Sequence, residues 1–162
     1  AYEIVSRDWS SDVCSSDLPG ESPTEEFPFT LVTGRILQHY NCGAQTRRTD
    51  ILDVVDVDVL EMHPEDAARM QVAGGDLIRL VSPRATVLLP VMISERVQPG
   101  QLFTSFHFPA SDVNSLLSSS SDDQSRCPEY KVSIVRVEPV DWEELDADDE
   151  RELEAVRVRL IT

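Results

Sequence analysis

Lysine is almost absent from this chain of 162 residues: Lys131 is the only one, and the other basic residues are arginines. Basic residues total 14 against 30 acidic ones, giving a formal charge of -16. That balance excludes bulk nucleic-acid binding, which needs a net basic face. No apolar run reaches the roughly 18 residues that a membrane-spanning helix requires. No basic segment leads into an apolar one, so no signal peptide is expected. Cysteine is sparse and odd in number (Cys14, Cys42 and Cys127), with neither a CxxC pair nor a Cys/His ligand spacing. Such a set fits a cytoplasmic protein better than a secreted disulfide framework, and Cys42 and Cys127 read as small, partly buried fillers.

Catalytic signatures are missing too. The chain contains no GxSxG, no HExxH, no P-loop and no GxGxxG. The three histidines, His39, His63 and His107, are far apart, and His63 precedes a helix-opening proline and looks exposed, so no metal site is expected. Acidic pairs are so frequent that none stands out as an acid/base dyad. Nothing reads as a self-sufficient catalyst.

The length suits one domain with a real core rather than two. Its beginning has no structural period: residues 8–18 read DWSSDVCSSDL, which is similar to the translation of a common sequencing-library adapter. Residues 1–18 are therefore expected to be an artefact, disordered and outside the function. Residues 19–26, PGESPTEE, read as a linker and 27–139 as the folded domain. Residues 140–162 form an acidic C-terminal extension. Glu138 to Glu154 holds ten acids and one base, Arg151, which suits a solvated amphipathic tail anchored by Trp142 and Leu145 or a docking segment for a partner. Val156, Val158 and Leu160 could add an edge strand.

Within the domain, Phe29 to Thr33 reads as a strand ending at Gly34. Ile51 to Val59, ILDVVDVDV, alternates apolar residues with Asp and predicts extended structure with Asp56 and Asp58 on one face. His63-Pro64-Glu65-Asp66 opens a short helix, because proline suits its first turn and acids its positive end. Gly74-Gly75-Asp76 and Pro99-Gly100 are turns. Leu77 to Ser82, Thr86 to Ile93, Leu102 to Phe106 and Tyr130 to Val137 read as strands, the last with Val132, Ile134 and Val135 toward a core. Asn114 to Leu117 starts a short helix. Many short strands with one or two short helices predict a mainly β fold, a small barrel with helical insertions.

Three clusters carry chemistry. In FPFTLVTGRILQHYNCGAQTRRT, a strand ends at Thr33-Gly34 and delivers Arg35, His39, Tyr40, Asn41, Gln45, Thr46, Arg47 and Arg48. The arginine forks match phosphate oxygens, and Gly34 allows close backbone approach. In FTSFHFPASDVN, Phe103, Phe106 and Phe108 flank His107, with Asn114 close behind. Aromatic planes beside polar donors suit a flat heterocycle, although Phe103 and Phe106 at alternate positions read first as core. In PEYK, Tyr130 and Lys131 open a strand, where a lone lysine is ordinarily a solvated edge charge.

Taken together and in order, TGRILQHYN…TRR, FHFP…N and PEYKVSIVRVEP resemble the C-terminal molybdopterin-dinucleotide-binding domain of molybdenum or tungsten oxidoreductases. Within that superfamily they look most like the formate dehydrogenase alpha subunit. The segment HPEDAARMQVAGGDLIRL fits the same pattern, and the resemblance runs from about Phe27 to Pro139. It implies a double-psi β-barrel that grips one side of a bis-molybdopterin guanine dinucleotide cofactor carrying Mo or W. By matching position, it implies that Thr33, Gly34 and Arg35 line the cofactor cleft. His39, Asn41 and Thr46 would add polar contacts, with Arg47 and Arg48 neutralising phosphate or structural. His107 and Asn114 would come from the second cluster, and Tyr130 and Lys131 from the third. Catalytic and iron–sulfur residues would lie in upstream domains of the same subunit, with electron-transfer subunits as further partners; no position here matches them. The expected function is that of a cofactor-binding domain for formate oxidation to carbon dioxide. Alternatives are the same domain of a nitrate reductase and, in another class, a non-catalytic β-barrel interaction module.

Overall fold

The structure is a computed structural model and describes residues 20–118 and 132–140. Six strands close into a double-psi β-barrel: β1 (Phe29–Gly34), β2 (Leu60–Met62), β3 (Leu77–Val81), β4 (Thr86–Ile93), β5 (Gln101–Ser105) and β6 (Val132–Pro139). Their order around the barrel is β1-β5-β2-β4-β3-β6. The pairs β1/β5 and β2/β4 are parallel and the other four antiparallel. One short helix, α1 (Pro64–Met70), and four 3-10 turns complete the described architecture. Closure leaves no sheet edge to protect, which suits so short a set of strands.

Alternation drives the strands inward. In β1, Phe29, Leu31 and Thr33 are buried while Thr30, Val32 and Gly34 are half-exposed. Leu31, Leu60, Met62, Ile78, Leu80, Leu89, Val91 and Leu102 are fully buried in one apolar core. Each such side chain contributes about 1.5–3 kcal/mol relative to exposure. The helix begins where proline and two acids predict it. His63 is half-buried and its Nδ1 accepts the amide of Glu65 at 3.2 Å, so this histidine is a helix cap. Gln71 ends the helix in the left-handed region at φ 57°. Asp66, buried, accepts the Gly100 amide at 2.6 Å and ties the helix to the turn before β5.

Several expectations need correction. Ile51 to Val59 is not a strand: Asp50–Asp53 is a 3-10 turn capped by Thr49, and the chain runs irregularly to β2 at Leu60. Alternation there is overridden because Asp58 turns fully inward to satisfy donors of another loop. In β6, Val135 and Ile134 are buried as expected, whereas Val132 is only half-buried, and Ser133 and Val137 are also buried. The expected linker is partly fastened to the barrel. Glu21 accepts from Arg84 at 2.5 Å and from the Ile134 amide at 3.1 Å. The expectations for residues 1–18, for Cys127, for Tyr130 and Lys131, and for most of the acidic extension fall outside the described residues.

Candidate functional site

Because β1 and β5 run parallel in register, with Gly34 opposite Ser105, the loops leaving their ends emerge side by side at one end of the barrel. Between them lies an open cleft of about 670 Å³, lined by Thr33, Gly34, Arg35, Cys42, Phe106, Asn114 and Leu117. That volume is in the range of specific small-molecule sites. Phe106 both packs on the core and presents a face to the cleft, so it joins the two roles weighed for it. Phe103 lies behind Gly34, half-buried on the opposite side of the strand pair.

The first loop is built by internal polar contacts. Asn41 takes φ 49° and Gly43 φ 67°, and the Gly43 amide donates to the Tyr40 carbonyl at 2.9 Å. Asn is among the few residues that tolerate this left-handed conformation. His39 is buried; its Nε2 donates to the Val55 carbonyl and its Nδ1 accepts from Thr46 Oγ1, both at 2.8 Å. His107 is also buried. Its Nδ1 donates to the Asn41 carbonyl and its Nε2 accepts the Ile36 amide at 3.2 Å. The two imidazoles lie 5.6 Å apart, with Phe108 edge-on to His39 at 5.0 Å and Phe106 tilted against His107 at 5.3 Å.

The sequence-predicted residues therefore divide. Thr33, Gly34, Arg35 and Asn114 line the cleft. His39, Asn41, Thr46 and His107 are not among the lining residues: the His39, Thr46 and His107 side chains bond to one another or to the loop backbone, and Asn41 takes part through its carbonyl. Both ring nitrogens of each histidine are engaged within the protein, so they shape the wall without presenting a free donor. Cys42 is exposed and lines the cleft, contrary to the filler expectation, because the Asn41–Gly43 turn throws it outward. Asp58 gave no sequence signal apart from the neighbouring Val-Asp alternation, which pointed the other way.

Charge gives the site its sign. Among the described residues, Arg69, Arg79, Arg84, Arg96 and Arg136 each pair with a carboxylate. Arg35, Arg47 and Arg48 form no such pair among the described residues, and all three belong to the loop after β1. Arg35 lies over the Tyr40 ring at 5.8 Å. The side chain of Arg47 packs over Gly43, and its Nε is buried without a hydrogen-bond partner. Guanidinium groups of this kind match the oxygens of a phosphate or carboxylate.

Residues 29–134 match the family described as the molydopterin dinucleotide binding domain. The F420-dependent formate dehydrogenase subunit alpha of Methanocaldococcus jannaschii is 33% identical over 121 residues, covering 74% of this chain and 18% of the relative. The assimilatory nitrate reductase catalytic subunit of Bacillus subtilis is 32% identical over 125 residues, covering 76% of this chain and 18% of the relative. The chain thus spans less than a fifth of the length of these relatives. Among solved structures, acetylene hydratase from Pelobacter acetylenicus superposes with a TM-score of 0.63 at 14% identity, over 71% of this chain and 19% of that one. That likeness shows a shared fold alone. With the family match spanning most of the barrel, and with homologues among formate dehydrogenases and nitrate reductases, the chain belongs to the molydopterin dinucleotide binding domain family of molybdopterin oxidoreductases.

Proposed function

We propose that this chain is the C-terminal cofactor-binding domain of a molybdopterin-dependent formate dehydrogenase, acting in the cytoplasm with upstream domains of the same subunit. The observation that carries the reading is the cleft with Arg35 on its wall, in a loop whose three arginines lack carboxylate partners among the described residues. The residues fit a phosphate-bearing pterin dinucleotide. Arginine forks match pyrophosphate oxygens, the Phe106 face suits a flat ring, and Thr33 and Asn114 offer hydroxyl and amide groups.

When bound, the cofactor with its Mo or W supplies the redox chemistry, and the protein supplies binding and electrostatics. Arg35 would hold a phosphate at the cleft wall, and Arg47 and Arg48 would offset its charge from the next turn. Gly34 lines the cleft through its backbone. The buried His39 and His107 fix the loop so that these donors need little reorganisation on binding. The resemblance adds Tyr130 and Lys131 as further cofactor contacts. Iron–sulfur clusters and electron-transfer partners would belong to the remainder of the subunit and its complex.

The formate assignment draws on relatives such as the Methanocaldococcus jannaschii subunit; the nitrate reductase relatives supply the second reading. The complete subunit, produced with cofactor maturation and assayed for both reactions with dye mediators, separates them. Formate oxidation without nitrate reduction is expected; the reverse would move the domain to a nitrate reductase. Purified complete subunit with no bound pterin would favour an interaction module instead.

A further inference from the structure

Asp58 is fully buried and has no ion-pair partner among the described residues. A carboxylate in that position is costly unless its lone pairs are met. One loop meets all of them. Oδ1 accepts from Ser105 Oγ and from the His107 amide at 3.1 Å. Oδ2 accepts the Phe108 amide at 3.1 Å and faces Ser111 Oγ at 2.6 Å, a hydroxyl that also lies 2.7 Å from the Phe108 carbonyl. Two successive backbone amides and two hydroxyls thus form an anion-binding nest, and the protein's own side chain fills it. Since His107 also donates to the Asn41 carbonyl and accepts the Ile36 amide, the same loop grips the segment that follows β1.

We propose that Asp58 is a positioning residue for the cleft: it locks the Phe106 wall and, through His107, sets the Arg35 wall. This rests on the cleft being the cofactor site. The chemistry makes the carboxylate specific. Each oxygen accepts one backbone N–H, so an amide at this position must turn its NH2 toward an N–H in either orientation. Asp58→Asn therefore breaks one half of the nest, although its size is unchanged.

Hydrogen exchange on the intact chain tests the coupling. In Asp58→Asn, the Ile36 amide, on the far wall, should exchange about tenfold faster, as expected for loss of one hydrogen bond's worth of restraint. The amides of β3 and β4 should be unaffected. If the whole barrel loosens, Ser111→Ala, which removes only one hydroxyl, is read in the same way. Faster exchange confined to residues 105–111, or loosening of Ile36 only in step with β3 and β4 in both variants, would overturn the proposal. Cofactor content of the complete subunit separates this from the reading beneath it. A loss in Arg35→Ala but not in Asp58→Asn refutes the positioning role. Ile36 loosening with full cofactor content in both variants supports the coupling and refutes the cofactor assignment.

Discussion

The ring of Phe103 occupies the space that a Cβ on residue 34 would need: its Cε2 would lie 2.7 Å from such an atom. Glycine at the end of β1 is therefore required by packing against Phe103, on the side away from the cleft. Gly34→Ala should destabilise the domain by about 1–3 kcal/mol, the usual cost of overpacking. Adding Phe103→Leu should recover most of that loss. Denaturant unfolding of the two variants checks it, and a double variant no better than the single one would mean that the strain lies elsewhere.

Cys42 offers a chemical probe of the cleft because its thiol is exposed on the wall. In the cofactor-free domain it should be alkylated readily by iodoacetamide. In the cofactor-loaded subunit the labelling rate should fall about tenfold or more, since burial removes access. Peptide mapping by mass spectrometry reads the site directly. Equal labelling in both states would place the ligand away from this wall.

Glu21 makes the fold acid-sensitive at a defined point. The Arg84 hydrogen bond, opposed in part by burial and aided by the Ile134 amide, holds its carboxyl below the ordinary value of 4.5. A depressed folded-state value means that this stabilisation is fully present above about 4.5 and is lost as the pH falls through the lower folded-state value. Glu21→Gln should cost about 1–3 kcal/mol at neutral pH, because Arg84 and the Ile134 amide lose a charged acceptor. The gap between the variant and the wild type should close on acidification. A gap that stays constant from neutral to strongly acidic pH would show that the carboxylate is not the cause.

The barrel was legible because its strands carry their own signals. Phe29 to Gly34 alternates cleanly, and the Pro64 start and the Gly74-Gly75 and Pro99-Gly100 turns mark boundaries locally. The cleft wall at Thr33, Gly34, Arg35 and Asn114 was legible through residue type and through resemblance. The division between wall and support was not. Whether His107 faces ligand or loop depends on the Ile36 amide, 71 residues away in sequence, and on the Asn41 carbonyl. The burial of Asp58 has the same kind of cause. Alternation in VVDVDV favours an outward Asp, but two amides and two hydroxyls delivered by the loop after β5 reverse the preference. In β6, Val135 and Ile134 are buried as their apolar character predicts, while the inward position of Ser133 carries no apolar signal.

The arginines without a carboxylate partner among the described residues carry the central claim, and Arg35 stands on the cleft wall. The direct measurement is guanine-nucleotide and metal content of the purified complete subunit bearing Arg35→Ala. Arg79→Ala serves as a control, because Arg79 pairs with Glu138 on the barrel side at 3.7 Å. Loss of a charged phosphate contact is worth about 1.5–3 kcal/mol, or roughly ten- to a hundredfold in affinity. Arg35→Ala should therefore lose most of its pterin dinucleotide while Arg79→Ala retains it. Equal, full occupancy in the two variants would contradict the account.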